Sequence, residues 1–270
     1  MKNRKFGLMH LSSSICFGTA GAVWLAVLMI KYYNPTTTEF AAPRSSLTSL
    51  AIFLFSGIAA SAAFGVISAK KDCALPACPK YAYLIPAVFS GVSGTWSTVK
   101  ILTALASSSG LPSQSSSALY KLFTVLCAIF GFLAAAHFIA KFLEKPASTP
   151  LSLALPLWAV FSIASSYFNS VFTYIDFTRL LLDVALSAAA LFALAYVRSM
   201  ISKNHMILMK ISSAAFIISG TAYMFARLVF ALSTRSYSLI SDALEFSIFG
   251  VIAFAAFSPI YALSPKEKSE

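Results

Sequence analysis

Charged side chains are scarce in this chain and acidic ones scarcest: 9 Asp and Glu against 20 Lys and Arg in 270 residues, 11% charged where soluble domains carry about 25%. With 59% of its residues apolar, a chain of this length has too little polar surface to cover itself in water, which excludes a soluble globular fold. Cysteine is also sparse. Cys16, Cys73, Cys78 and Cys127 are too few and too scattered for a disulfide framework, and Cys73 and Cys78 lack the two-residue spacing of a redox motif or zinc knuckle. None of the asparagines opens a usable N-x-Ser/Thr sequon, Asn34 being followed directly by Pro35, so nothing points to a glycosylated secretory route. There is no nucleophile elbow, Walker loop or HExxH helix, and His10, His137 and His205 are scattered. The expectation is therefore a non-enzymatic protein with no cofactor and no metal.

What is present is a succession of apolar runs of about 20 residues, each long enough to cross about 30 Å of hydrocarbon as a helix. They are continuous and rich in Ala, Leu and Phe rather than alternating, so they predict helices and not a barrel. The fold expected is an all-α integral membrane protein, a bundle of about eight transmembrane helices with no soluble domain. The spans read as 7–30, 47–69, 81–105, 118–140, 151–171, 177–199, 206–232 and 239–263. The first exceeds the 7–15-residue apolar core of a signal peptide, so it is read as a retained span. The least marked turn is 172–179, FTYIDFTR, between spans five and six.

Lys and Arg gather in cytoplasmic loops, and their distribution tests the count. Inner segments hold Lys2, Arg4, Lys5, Lys70, Lys71, Lys80, Lys141, Lys145, Arg198, Lys203, Lys210, Lys266 and Lys268, whereas outer loops hold Lys31, Arg44, Arg179 and Arg235. Both termini are thus placed in the cytoplasm and the chain in the plasma membrane. The net charge of +11 then reflects loop anchoring, not nucleic-acid binding. A weak repeat runs through the odd spans: Gly18-Thr19-Ala20 echoes Gly220-Thr221-Ala222, and Ser93-Gly94-Thr95 echoes Ser219-Gly220-Thr221. Pro86 and Pro156 also fall at matching places, which suits four pseudo-repeated helical hairpins and bent helices of the kind transport sites use. Small residues also let helices approach closely in lipid, whatever their origin.

A charge inside a span costs roughly 2.5–3.5 kcal/mol near a helix centre, which makes each one a functional candidate. Lys100, Lys121, Asp183, Arg227, Asp242 and Glu245 all fall in the outer part of their spans. Two readings compete. In one they are ion pairs that orient the bundle, Arg227 with Glu245 foremost, while Lys121 snorkels to the surface. In the other Lys100, Asp183, Arg227 and Glu245 line an outward-facing polar cavity for a small charged or zwitterionic solute, with Trp96 and Tyr223 in its wall. Tyr32, Tyr33, Tyr81, Tyr83 and Tyr261 read as interface anchors.

The functional expectation is solute transport, by this chain or with it as the membrane subunit of a transporter. The alternative is a membrane sensor or assembly subunit reporting to a separate cytoplasmic protein. Besides the lipid bilayer, the expected partners are the solute and a membrane or cytoplasmic protein.

Overall fold

The computed structural model describes residues 2–34, 39–40, 42–69, 80–106, 118–145, 149–169, 177–201 and 206–234. Apart from a two-residue antiparallel pairing of β1 (Tyr33–Asn34) with β2 (Glu39–Phe40), these residues are helical. The helices are α1 (Lys2–Tyr32), α2 (Arg44–Ser68), α3 (Leu84–Ala106), α4 (Ala118–Phe142), the single-turn α5 (Thr149–Ser152), α6 (Ala154–Asn169), α7 (Phe177–Ile201) and α8 (Met206–Thr234). Seven of the eight expected spans coincide with them. The span 239–263, with Asp242, Glu245 and Tyr261, lies outside the described residues, and the count of eight and the fourth hairpin lie there with it.

Among the described residues six stretches are long and apolar enough to cross a membrane, in α1, α2, α4, Pro150–Phe168, α7 and α8. A 25-residue helix such as α2 rises about 37 Å, against about 30 Å of hydrocarbon. α3 is nearly as long but is broken up by Ser90, Ser93, Thr95, Ser97, Thr98 and Lys100. Many hydroxyls in these helices bond back to a carbonyl one turn earlier, as Thr95 Oγ1 does to Gly91 O at 3.0 Å and Ser219 Oγ to Ala215 O at 2.6 Å. That is how a polar side chain is carried in an apolar helix without an unmet donor.

The weakly marked turn 172–179 falls largely outside the described residues, but spans five and six are separate helices, α6 ending at Asn169 and α7 beginning at Phe177. Pro86 and Pro156 are each the third residue of their helix, where a backbone N–H has no intrahelical partner to lose. A tight turn precedes each: a 3₁₀ helix at Lys80–Tyr83 before α3, and α5 before α6. At the end of α4, Glu144 takes a left-handed φ of 57°. Lys145 N–H there reaches back to Ala140 O at 2.9 Å, closing the helix with a Schellman-type cap.

Packing follows a row: α3 against α4, α4 against α6, α6 against α7, α7 against α8, with α8 also held by α1 and α2. α8 has the most buried span, 67% of it enclosed. α1 runs parallel to α8, His10 meeting Ser213 near one end and Gly18 facing Thr221 further along. Such parallelism requires an even number of reversals between them, which the separate α6 and α7 provide. The backbones of α3 and α4 come close together: a Cβ on Gly131 would stand 3.0 Å from both Cα and N of Gly94, tighter than nearly all real Cβ contacts. Large apolar side chains cover the outside, Val23, Ile52 and Phe55 each being more than 60% exposed, while the hydroxyls of Ser93, Ser97 and Ser213 are enclosed. An apolar exterior around a partly polar interior suits a bilayer and would not suit water.

Candidate functional site

Because neighbours in the row are antiparallel, α1, α3, α6 and α8 run one way and α2, α4 and α7 the other. Lys100, Asp183 and Arg227 therefore share one end of the bundle, as their sequence depths imply. Asp183 and Arg227 are half-buried on α7 and α8, which pack together, and Tyr223 is buried one turn before Arg227. Lys100 is half-buried on α3, whose principal partner is α4, so it belongs to the opposite limb of the row. Glu245 lies outside the described residues. Tyr167, near the end of α6, is 62% exposed and stands at the bundle surface.

On that opposite limb a polar seam has formed. Ser90, Ser93 and Ser97 are buried along one face of α3, and Lys100 continues the face at helical spacing. Trp158 of α6 donates its indole N–H to Ser93 Oγ at 3.0 Å. The hydroxyls of Thr124 on α4 and Ser165 on α6 share a hydrogen bond of 3.1 Å, and Cys127 Sγ lies 3.7 Å from Ser162 Oγ. Trp96 Nε1 and Ser97 Oγ are enclosed in the same region, and neither has a hydrogen-bond partner among the described residues. Three stacked aromatic contacts, Phe123 with Phe161 and Phe168 and Phe130 with Phe161, complete the α4–α6 contact.

The opposite end of the bundle holds a second polar cluster, which the depth argument missed. His10 is fully buried between α1, α2 and α8: Nδ1 donates to Ser61 O at 2.7 Å, and Nε2 lies 3.2 Å from Ser213 Oγ. The hydroxyls of Ser13 and Ser61 share a hydrogen bond of 2.8 Å. Lys210, counted above among loop anchors, is 1% exposed, and its Nζ has no hydrogen-bond partner among the described residues. The expectation that charges sit in the outer part of the spans is thus corrected by Lys210. His137, on α4 at this same end, is also buried, with neither ring nitrogen bonded among the described residues and its ring set edge-on to Tyr196 of α7. The available signal was positional: Lys210 lies four residues inside its own span and His10 three inside the first.

Two grooves are apolar. One of about 320 Å³ runs between α1 and α8, lined by Ala22, Val23, Ala26, Val27, Phe225 and Val229, and a smaller one lies between α2 and α7. Neither is lined by a predicted site residue. Among the described residues no three His, Cys, Asp or Glu side chains gather as metal ligands. Cys73 and Cys78 lie outside the described residues. Scanned against protein-family models, curated proteins and solved structures, the chain matches none.

Proposed function

We propose that this membrane-spanning helical protein handles a small charged or zwitterionic solute, as a transporter or as the membrane subunit of one. The observation that carries the reading is the seam on α3, where Trp96 Nε1 and Ser97 Oγ are enclosed without a partner among the described residues, on the helix that bears Lys100. A buried donor left unmet costs about 1–3 kcal/mol, so such groups persist where a guest or a moving element can satisfy them. Lys100 offers an anionic group a charge on the same helix face. Arg227 and Asp183 at this end of the bundle form the second charged element of the proposal, together with Glu245. In this reading the end that carries them faces outward and both termini lie in the cytoplasm.

The test is uptake of radiolabelled amino acids and short carboxylates by the purified full-length protein in liposomes. Uptake that disappears in Arg227→Ala and Lys100→Ala, with both variants still folded, supports the reading. Binding without flux, together with a co-purifying cytoplasmic protein, transfers the same residues to a sensor or assembly subunit.

A further inference from the structure

The junction of α1, α2 and α8 differs from the α3 seam in having no room to spare. A Cβ on Gly65 would stand 2.9 Å from His10 Nδ1 and 3.1 Å from Lys210 Cβ, so His10 and Lys210 flank the same bare point on α2. A solute has no place there. A proton needs none, and the hydrogen bonds around His10 accept one without moving a heavy atom.

A carbonyl oxygen only accepts, so the 2.7 Å contact with Ser61 O places a hydrogen on Nδ1 in every state of the ring. Nε2 faces Ser213 Oγ at 3.2 Å, and that same oxygen lies 2.9 Å from Lys210 O. The Ser213 hydroxyl has one hydrogen and two places to send it. In neutral His10 it goes to Nε2, which accepts. When a proton adds to Nε2, the new N–H donates to Ser213 Oγ, and the hydroxyl turns its own hydrogen to Lys210 O. Both forms of the ring are then fully bonded, and one bond, N–H, has formed.

We propose that His10 is a proton-binding site, with the Ser213 hydroxyl as the group that turns to satisfy whichever form is present. The charged side chains carried by α1, α2 and α8 are all basic. α1 carries Lys2, Arg4, Lys5 and Lys31 besides His10, α2 carries Arg44, and α8 carries Lys210 and Arg227, while Cys16, Tyr32 and Tyr223 are the other ionisable side chains on these helices. No Asp or Glu belongs to any of the three. Lys210, whose Cβ flanks the same bare point of α2 as the His10 ring, is the second base of the cluster. Because His10 bonds to both α2 and α8, its protonation reaches the first turns of α8 through the Ser213 to Lys210 bond. This site goes beyond the solute reading and stands whether or not flux is found.

The experiment is ring-¹⁵N NMR of histidine-labelled full-length protein in lipid nanodiscs, titrated over about pH 4–9, the range in which imidazole ordinarily changes charge. The His10 signals are identified by their loss in His10→Gln or, if that variant does not fold, by elimination with His137→Gln and His205→Gln. The expected result is a neutral ring with its hydrogen on Nδ1 that becomes doubly protonated on the acid side while the protein stays folded. Ser213→Thr keeps the doubly protonated form, and Ser213→Ala loses it over the same range. A neutral ring with its hydrogen on Nε2, a spectrum that does not change across the range, or a Ser213→Ala variant that titrates like the unaltered protein would each overturn the assignment.

Discussion

Trp158 reaches from α6 to Ser93 on α3 with an indole N–H···O bond of 3.0 Å, tying together two parallel helices that both pack on α4. Both partners are buried, at 3% and 0% exposure, so removing one leaves the other without water to turn to. Ser93→Ala is expected to cost about 0.6–1.7 kcal/mol, the range of interhelical bonds measured in membranes. Trp158→Phe should cost at least as much, because it also alters the ring. In a double-mutant cycle read by reversible unfolding in mixed micelles, the two losses should be clearly less than additive. Strict additivity would mean that the bond contributes nothing.

Glycine 131 provides a test with its own control. Gly131→Ala places a methyl against the backbone of Gly94, which cannot step aside as a side chain can, and a loss of about 1–3 kcal/mol is expected. Gly91→Ala, on α3, meets nothing nearer than 3.9 Å and should unfold at nearly the same point as the unaltered protein. Equal effects from both would show that helix propensity and not contact governs this interface.

The fit over Gly65 predicts a comparable coupling at the other end. Gly65→Ala drives a methyl into the His10 ring and the Lys210 stem and should cost about 1–3 kcal/mol. His10→Ala in the same chain removes the obstacle, so the double variant should be less damaged than the two single losses added together. Thermal unfolding in nanodiscs measures all three.

Glu144 spends backbone energy that glycine would not. A non-glycine residue in the left-handed region costs roughly 1–2 kcal/mol, so Glu144→Gly is expected to raise stability by about 1 kcal/mol while leaving the cap intact. Unfolding of the two proteins side by side checks the sign.

Threading can be read by chemistry. With the four native cysteines replaced, single cysteines at Ser108 and Ser269 should react with a membrane-impermeant maleimide from opposite sides. Reaction of both from one side would overturn the eight-span arrangement.

Most of the helix positions were legible because hydropathy along the chain is a local property. Even spans five and six, with a poorly marked break between them in sequence, are separate helices, as the loop charges required. The cluster around His10 and Lys210 was not legible, for a physical reason. Whether a lysine four residues inside a helix reaches water depends on what closes over it, and here that is α1 and α2, brought in by bare positions such as Gly65. Neighbour identity is not written in the spacing of a single span. The tight turns ahead of Pro86 and Pro156 were not legible either, because where helical hydrogen bonding begins depends on more than the position of a proline. Trp96 was singled out by its depth, and its Nε1 is enclosed, but the Ser97 hydroxyl beside it, without a partner among the described residues, became visible only once α3 had neighbours.

The parallel contact of α1 with α8 also sets a timetable for biosynthesis. α1 finds its largest partner only once α8 has been made, so until then His10 has α2 beside it but not Ser213. A nascent chain in that condition exposes an unfinished polar face to lipid, which gives insertion chaperones and membrane proteases something to recognise. Variants that weaken the α1–α8 seam should then be cleared during synthesis, and be seen as lost abundance before any loss of activity can be measured.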